Sequence, residues 1–254
     1  MNGYSTLELT ALVLARDLRP EDRVIQSGAN MPEGRAAAIL AGLRFPGSRV
    51  IVDLAVENFA GGNPIPPVHP SSFDPRSLEF GEARSCQDTI FDYVARPEVF
   101  FVGGLEVDQR GNLNLLGRRD EQGRWDLRGP GTLALASMTT HASGYYIVMR
   151  RHEPRTFPSK VSLITALGDK QRRAQLGFPG GGPRLVVSPL GVFDFDERGD
   201  MRIKSLHPGV SQEAVADATG FSFEVTERPE VTPEPTPEEL TVLRETIDPE
   251  GILR

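Results

Sequence analysis

The sequence predicts an α/β fold whose sheet is built mainly from parallel strands. Three observations carry that prediction. A capped helix is followed by strand, helix and strand with short connections. Six or more further apolar runs of strand length recur through the second half of the chain. Gly- and Pro-rich breaks separate nearly all of them.

The elements follow in chain order. Ser5-Thr6-Leu7-Glu8 has the pattern of a capping box, and Leu7, Ala11, Leu14, Ala15 and Leu18 then share one helical face. RVIQSG (residues 23–28) reads as a strand, ANM as a turn, and PEGRAAAILAGLR (32–44) as a helix with Pro32 in its first turn. RVIVDLAV (49–56) is the next strand. Strand, helix, strand with short links makes a right-handed crossover, so these two strands are expected to be parallel. Farther on, DTIFDYVAR (88–96) is expected to be helical and VFFVGGLEV (99–107) a strand, followed by a DQRGN turn and the extended LNLLG. YYIVMRR, KVSLIT, RLVVS, VFDFD, MRIKSL and FSFEV all read as strands. SQEAVADATG is a helix with Ser211 as N-cap and Gly220 past its end. RPEVTPEPTPEE reads as an extended Pro/Glu linker leading to a last helix, with Thr236 and Glu239 as a second capping box. The expected organisation is one domain over residues 1–226 and a tail over 227–254 that packs on it or on a partner.

Composition excludes several classes. The formal net charge of −7, with no basic run, disfavours a nucleic-acid partner. One cysteine, Cys86, permits no intrachain disulfide and gives no sign of secretion. The N-terminal residues lack the basic start of a signal peptide, and no apolar run approaches the ~20 residues of a membrane span. A cytoplasmic protein is expected. The chain has no G-x-S-x-G elbow, no Walker A loop and no G-x-G-x-x-G after its first strand. Its four histidines are far apart without ligand spacing, so no metal site is expected. Cys86 reads as a structural thiol.

Two of the segments that remain lie at one edge of the predicted sheet. Ligands of parallel sheets bind at the carboxyl ends of the strands. The turn after the first strand, with Gly28 and Asn30, and the segment 53–62, with Asp53, Glu57 and Asn58, are both expected there. Asp53 stands inside an apolar strand, where burial raises a carboxyl pKa unless a donor pairs with it. Two readings stand: a catalytic carboxylate, or a cap on the backbone N–H groups of the following loop. Glu57 is expected in the loop, solvated or holding backbone. Gly103 and Gly104 are adjacent glycines in a strand, which mark close approach by another backbone or a ligand. RGPGT (128–132), with Gly129, Gly131 and Thr132, aims N–H groups at a thioester oxygen or a phosphate, or is a tight bend. VDQRGNLN (107–114) is ordinary turn chemistry, and LGFPGGGP (176–183) is a loop.

Taken in order, VIVDLAVEN, FVGGLEVDQRGNLN, GPGT, LGFPGGGP, LVVSPLGVFDFDERGDMRI, LHPGVSQEAVADATGF and LRETIDPEGILR resemble the β-type subunit of the glutaconate CoA-transferase family, the family I CoA-transferases. The resemblance spans nearly the whole chain. It implies a three-layer α/β sandwich with a mainly parallel sheet, the CoA-transferase-like fold. It also implies an α-type partner subunit, commonly in an α₂β₂ assembly, an active site completed by both chains, and an acyl-CoA substrate with coenzyme A as co-substrate and no tightly bound cofactor. In such transferases a glutamate at the end of the second strand attacks the thioester, passing through an acyl anhydride and a glutamyl–CoA thioester. Aligned through VIV, that position is Asp53 here, and Glu57-Asn58 follows four residues late. An aspartate oxygen is drawn back by about an ångström, room in which a water fits and a carboxylate can act as general base. Relatives lacking the glutamate resemble ring-opening hydrolases of steroid breakdown or decarboxylases of branched glutaconyl-CoA. The expected roles are Asp53, with Glu57 beside it, for catalysis, and Gly28, Asn30, Asn58, Gly103, Gly104, Gly129, Gly131 and Thr132 for substrate or CoA. A subunit that only scaffolds its α-type partner is the non-enzymatic alternative.

Overall fold

The computed structural model describes residues 3–51, 55–58, 64–71, 73–83, 85, 98–120, 122–223 and 229–254. The elements run α1 (Thr6–Asp17), β1 (Val24–Gln26), α2 (Pro32–Arg44), β2 (Arg49–Ile51), β3 (Ala55–Asn58), β4 (Gly81–Ala83), β5 (Val99–Gly103), β6 (Glu106–Val107) and β7 (Leu113–Asn114). They continue with β8 (Gly117–Arg119), β9 (Trp125–Arg128), α3 (Leu135–His141), β10 (Gly144–Val148), α4 (Lys170–Gln175), β11 (Pro183–Ser188), β12 (Gly191–Phe195), β13 (Met201–Leu206), α5 (Gln212–Asp217), β14 (Glu230–Val231) and α6 (Pro237–Thr241).

The chain divides into two compact units, Met1–Val102 with Glu234–Arg254, and Gly103–Pro233. In the first, β1 pairs in parallel with both β2 and β5, and β3 and β4 add antiparallel strands beyond β2. The parallel β1–α2–β2 crossover is the one the sequence predicts. Ala36, Ala37, Ala38, Ile39 and Ala41 of α2 are completely buried. Their small size brings the helix backbone close to its neighbours, α1 and β2. Both predicted capping boxes are present, at Ser5/Glu8 and Thr236/Glu239. The C-terminal segment is clamped onto α1: Arg244 reaches the two oxygens of buried Glu8 at 2.6 and 2.9 Å. Burial pushes the Glu8 carboxyl up, but the bonds from Arg244 and the Ser5 N–H outweigh it and hold the group below its ordinary value. Arg16 makes the matching pair with Glu239, and the Ser5 hydroxyl donates to the Leu253 carbonyl.

In the second unit β10 and β11 are parallel, β11, β12 and β13 form an antiparallel meander, and β14 lies parallel to β13. Tyr145, Tyr146, Ile147, Phe157, Val186 and Phe193 form its solvent-free centre. Parallel pairing at the crossovers and antiparallel pairing at the hairpins make the architecture an α/β fold with a mixed sheet.

Four expectations fare differently. The run 99–107 is two strands, β5 and β6, broken where Gly104 packs under Leu113 and Met149. KVSLIT (160–165) is not a strand. Its backbone is held by side chains instead: the Ser162 N–H donates to Glu106 at 2.8 Å and the Val161 N–H to Asp108 at 3.5 Å. Phe221 to Phe223, the described part of FSFEV, is irregular. The last strand is β14, inside the segment expected to be linker, where its pairing with Ser205 and Leu206 supplies the order that composition did not suggest. The helix expected at 88–96, and Cys86, lie outside the described residues.

Candidate active site

The carboxyl end of β1 opens into the turn 27–31. Gly28 is required there: a Cβ would stand 2.5 Å from both the Met31 sulfur and the Phe101 carbonyl oxygen. Asn30 is exposed and adopts φ +52°, a left-handed conformation that asparagine tolerates. Both residues thus shape the turn that starts α2 at Pro32. Beside it β2 ends at Ile51, in register with Gln26 of β1. The chain then reverses, because Ile51 pairs antiparallel with Val56, Val50 with Glu57, and Arg49 with Asn58. Asp53 belongs to that connection and lies outside the described residues. Glu57 and Asn58 are therefore in β3 rather than in a loop, set back along the sheet from the end of β2. The apolar continuity of residues 50–56 conceals this reversal, since no glycine or proline marks it.

The segment 103–114 separates into one open position and a closed turn. At Gly103 an added Cβ would meet nothing nearer than the Val148 carbonyl oxygen at 3.8 Å, an ordinary contact. At Gly104 it would stand 2.5 Å from Leu113 Cδ1. Only Gly104 is explained by its neighbours. Downstream, buried Asp108 accepts from the N–H groups of Arg110 and Asn112 and from the Asn112 side chain. Burial pushes this carboxyl above its ordinary value, against hydrogen bonds that pull it down. Buried Glu106 accepts from Asn114 Nδ2 at 2.8 Å and from the Ser162 hydroxyl at 2.7 Å. These acids are occupied by the fold.

The loop 129–134 is different. The Gly129 N–H is spent on the Leu116 carbonyl at 2.8 Å, and a Cβ at Gly129 would stand 2.3 Å from the Leu115 oxygen. Gly129 is therefore a crossing point and not an oxyanion donor. Pro130 has no N–H. Gly131, at φ +107°, has open space around its Cα, and Ala134 adopts φ +58° without being glycine. Among the described residues, the N–H groups of Gly131, Thr132, Leu133 and Ala134 donate to nothing. Successive free N–H groups bracketed by left-handed residues are an anion-accepting arrangement. The sequence indicated Gly131 and Thr132; Leu133 and Ala134 carried no signal, because neither residue type favours such a backbone. The Gly-rich 176–183 loop is a packing device, with the Gly180 and Gly181 N–H groups bonded to the Thr140 and Ala142 carbonyls.

In the second unit His152 is structural. His152 stacks on Phe157 at 3.7 Å and bonds Ser188 and Thr219 through its two nitrogens; burial lowers its pKa to about 4. In the first unit His69 is buried, and its ring nitrogens meet no hydrogen-bond partner among the described residues. Burial and the Arg35 charge hold its pKa below the ordinary value. Among the described residues, no helix is long and apolar enough to cross a membrane.

The α/β fold with its mixed sheet matches the CoA-transferase fold, as comparison with known proteins shows. No family model matches the chain. The chain is 31% identical to the β-type subunit of 3-oxoadipate CoA-transferase from Pseudomonas knackmussii, over 96% of this chain and 94% of that one. It therefore belongs to the family of CoA-transferase β-type subunits. It is 32% identical to the cholesterol ring-cleaving hydrolase IpdB subunit of Rhodococcus jostii, over 64% of this chain and 65% of the relative. Among solved structures, glutaconate coenzyme A-transferase of Acidaminococcus fermentans superimposes with a TM-score of 0.81 at 26% identity, covering 99% of this chain and 98% of that one. The decarboxylase AibA/AibB shares the fold at a TM-score of 0.77 and 24% identity, with 96% and 95% covered.

Proposed function

We propose that this chain is the β-type subunit of a heteromeric, cytoplasmic enzyme that moves coenzyme A between carboxylic acids, working with an α-type chain. The observation that carries the reading is the likeness to the β-type chain of a CoA-transferase over nearly the full length of both proteins. The proposed nucleophile is Asp53, in the connection that follows β2. Its carboxylate attacks the thioester carbonyl, and CoA leaves as thiolate with acyl-aspartyl anhydride formed. The thiolate then attacks the aspartyl carbonyl, releasing the first carboxylate and leaving an aspartyl–CoA thioester. The acceptor carboxylate reverses the two steps. Coenzyme A is a substrate here and not a resident cofactor. Gly103, whose open side admits a ligand, is the proposed point of close approach to the sheet.

Hydrolysis is the second reading, favoured by the likeness to the ring-cleaving hydrolase subunit and by the shorter carboxylate at the nucleophile position. Asp53 then activates water instead of attacking. The purified complex, given an acyl-CoA with and without acetate, separates the two. Acetyl-CoA formed only with acetate supports transfer; free CoA formed without acetate supports hydrolysis. Asp53→Asn is expected to abolish either, and unchanged turnover in that variant removes Asp53 from the mechanism. Silence from the wild-type complex leaves the scaffold role.

A further inference from the structure

The hairpin β8–β9 leads directly into the 129–134 loop, and it carries a group the reaction has not used. Trp125 is 37% exposed and is flanked by two guanidinium groups, Arg119 at 4.4 Å and Arg128 at 4.9 Å from its ring centroid. The strand register explains the grouping. Arg119 stands opposite Trp125 and Arg128 opposite Gly117, so the ring lies over a residue with no side chain. The hairpin's other two arginines are neutralised, Arg118 by Asp126 and Arg124 by Asp120. Arg119 and Arg128 have no carboxylate partner among the described residues; Arg119 donates only to the Gly123 carbonyl. In a chain of net charge −7, two unneutralised arginines framing an exposed aromatic are a local exception.

We infer that this hairpin face binds the 3′-phospho-ADP end of the acyl-CoA. The inference rests on the CoA-transferase reading and deepens it. Guanidinium groups match phosphate oxygens in pairs, and an exposed indole offers a purine a stacking surface. The position agrees with a phosphate chain, because residue 128 is the last of β9 and the free, anion-accepting N–H groups begin three residues later. A ligand carrying both a polyanion and an aromatic base uses all three side chains; a simple acid uses only the arginines.

Trp125 is the only tryptophan of the chain and so reports on its own site. The test titrates the assembled complex with CoA, dephospho-CoA and adenosine 3′,5′-bisphosphate, following the fluorescence lost in a Trp125→Phe complex. Quenching is expected with CoA and with the bisphosphate, weakening as salt rises. In kinetics, Arg119→Ala and Arg128→Ala should each raise KM for acyl-CoA about tenfold, the scale of one charge-assisted phosphate contact, at unchanged kcat. They should also erase the preference for CoA over dephospho-CoA, and lysine at either position should restore part of it. Turnover of acyl-CoA with no quenching and unchanged KM in the variants would overturn the hairpin site and leave the CoA-transferase reading standing. Loss of assembly with the α-type chain in Arg128→Ala would assign the face to the partner interface and overturn it too. Absence of both quenching and turnover would overturn both readings.

Discussion

Two short segments of the second unit look alike in sequence and differ in what they leave free. VDQRGNLN and RGPGTLA both follow a strand and both turn on glycine. In the first, the carboxylates of Glu106 and Asp108 collect the surrounding N–H groups and side-chain donors. In the second, Gly129 and Leu135 use their N–H groups on neighbouring carbonyls, and the four N–H groups between Pro130 and Leu135 face no described partner. A turn whose donors are gathered by buried carboxylates is scaffold. One whose donors stand free, at the expense of an alanine held at positive φ, is a place where charge can be received.

The contrast predicts opposite phenotypes. The largest effect on stability is expected from Glu106→Ala, which takes one acceptor from the Asn114 amide and the acceptors of the Ser162 N–H and hydroxyl; chemical denaturation should show a loss of about 2 kcal/mol, and a loss within error of zero would show that the turn is not held this way. Thr132→Pro removes one free donor without touching the core. Its complex should keep its melting temperature while KM for acyl-CoA rises about tenfold; equal losses of stability in the two turns would erase the distinction. A smaller separation is expected between adjacent glycines. Gly104→Ala must displace Leu113 or Met149 and should cost about 1 kcal/mol, whereas Gly103→Ala should leave stability nearly unchanged and raise KM. The smallest effect is a pH slope. The Asp108 carboxyl is raised in the folded state, so the folded chain holds its proton to higher pH than the unfolded chain does. Its contribution to stability is therefore largest in acid and declines as pH rises from the ordinary carboxyl value near 3.8 to the raised one. Asp108→Asn should flatten that part of the stability curve, and an unaltered slope would place the titration elsewhere.

The reading of individual elements shows where such reasoning stops. The α1 capping box, the 32–44 helix with its Pro at the start and the β11 to β13 strands were legible because local chemistry fixes them: a side-chain cap, a pre-set φ, a strong apolar run. The β2–β3 reversal was not, since its register is set by pairing with β4 on the far side. KVSLIT had strand composition, yet distant carboxylates claimed its backbone first. β14 had the composition of a linker and was ordered by an edge that sequence proximity does not reveal.

By itself, then, the sequence determined the α/β class and the boundaries of α1 and α2, because hydrophobic period, caps and breakers act over a few residues. The tertiary structure alone decided which glycines are crowded and which open, which acids are already occupied, and which N–H groups are left to donate. Those are questions of what arrives from elsewhere in the chain, and hydrogen-bond satisfaction is a property of the contact and not of the residue that makes it.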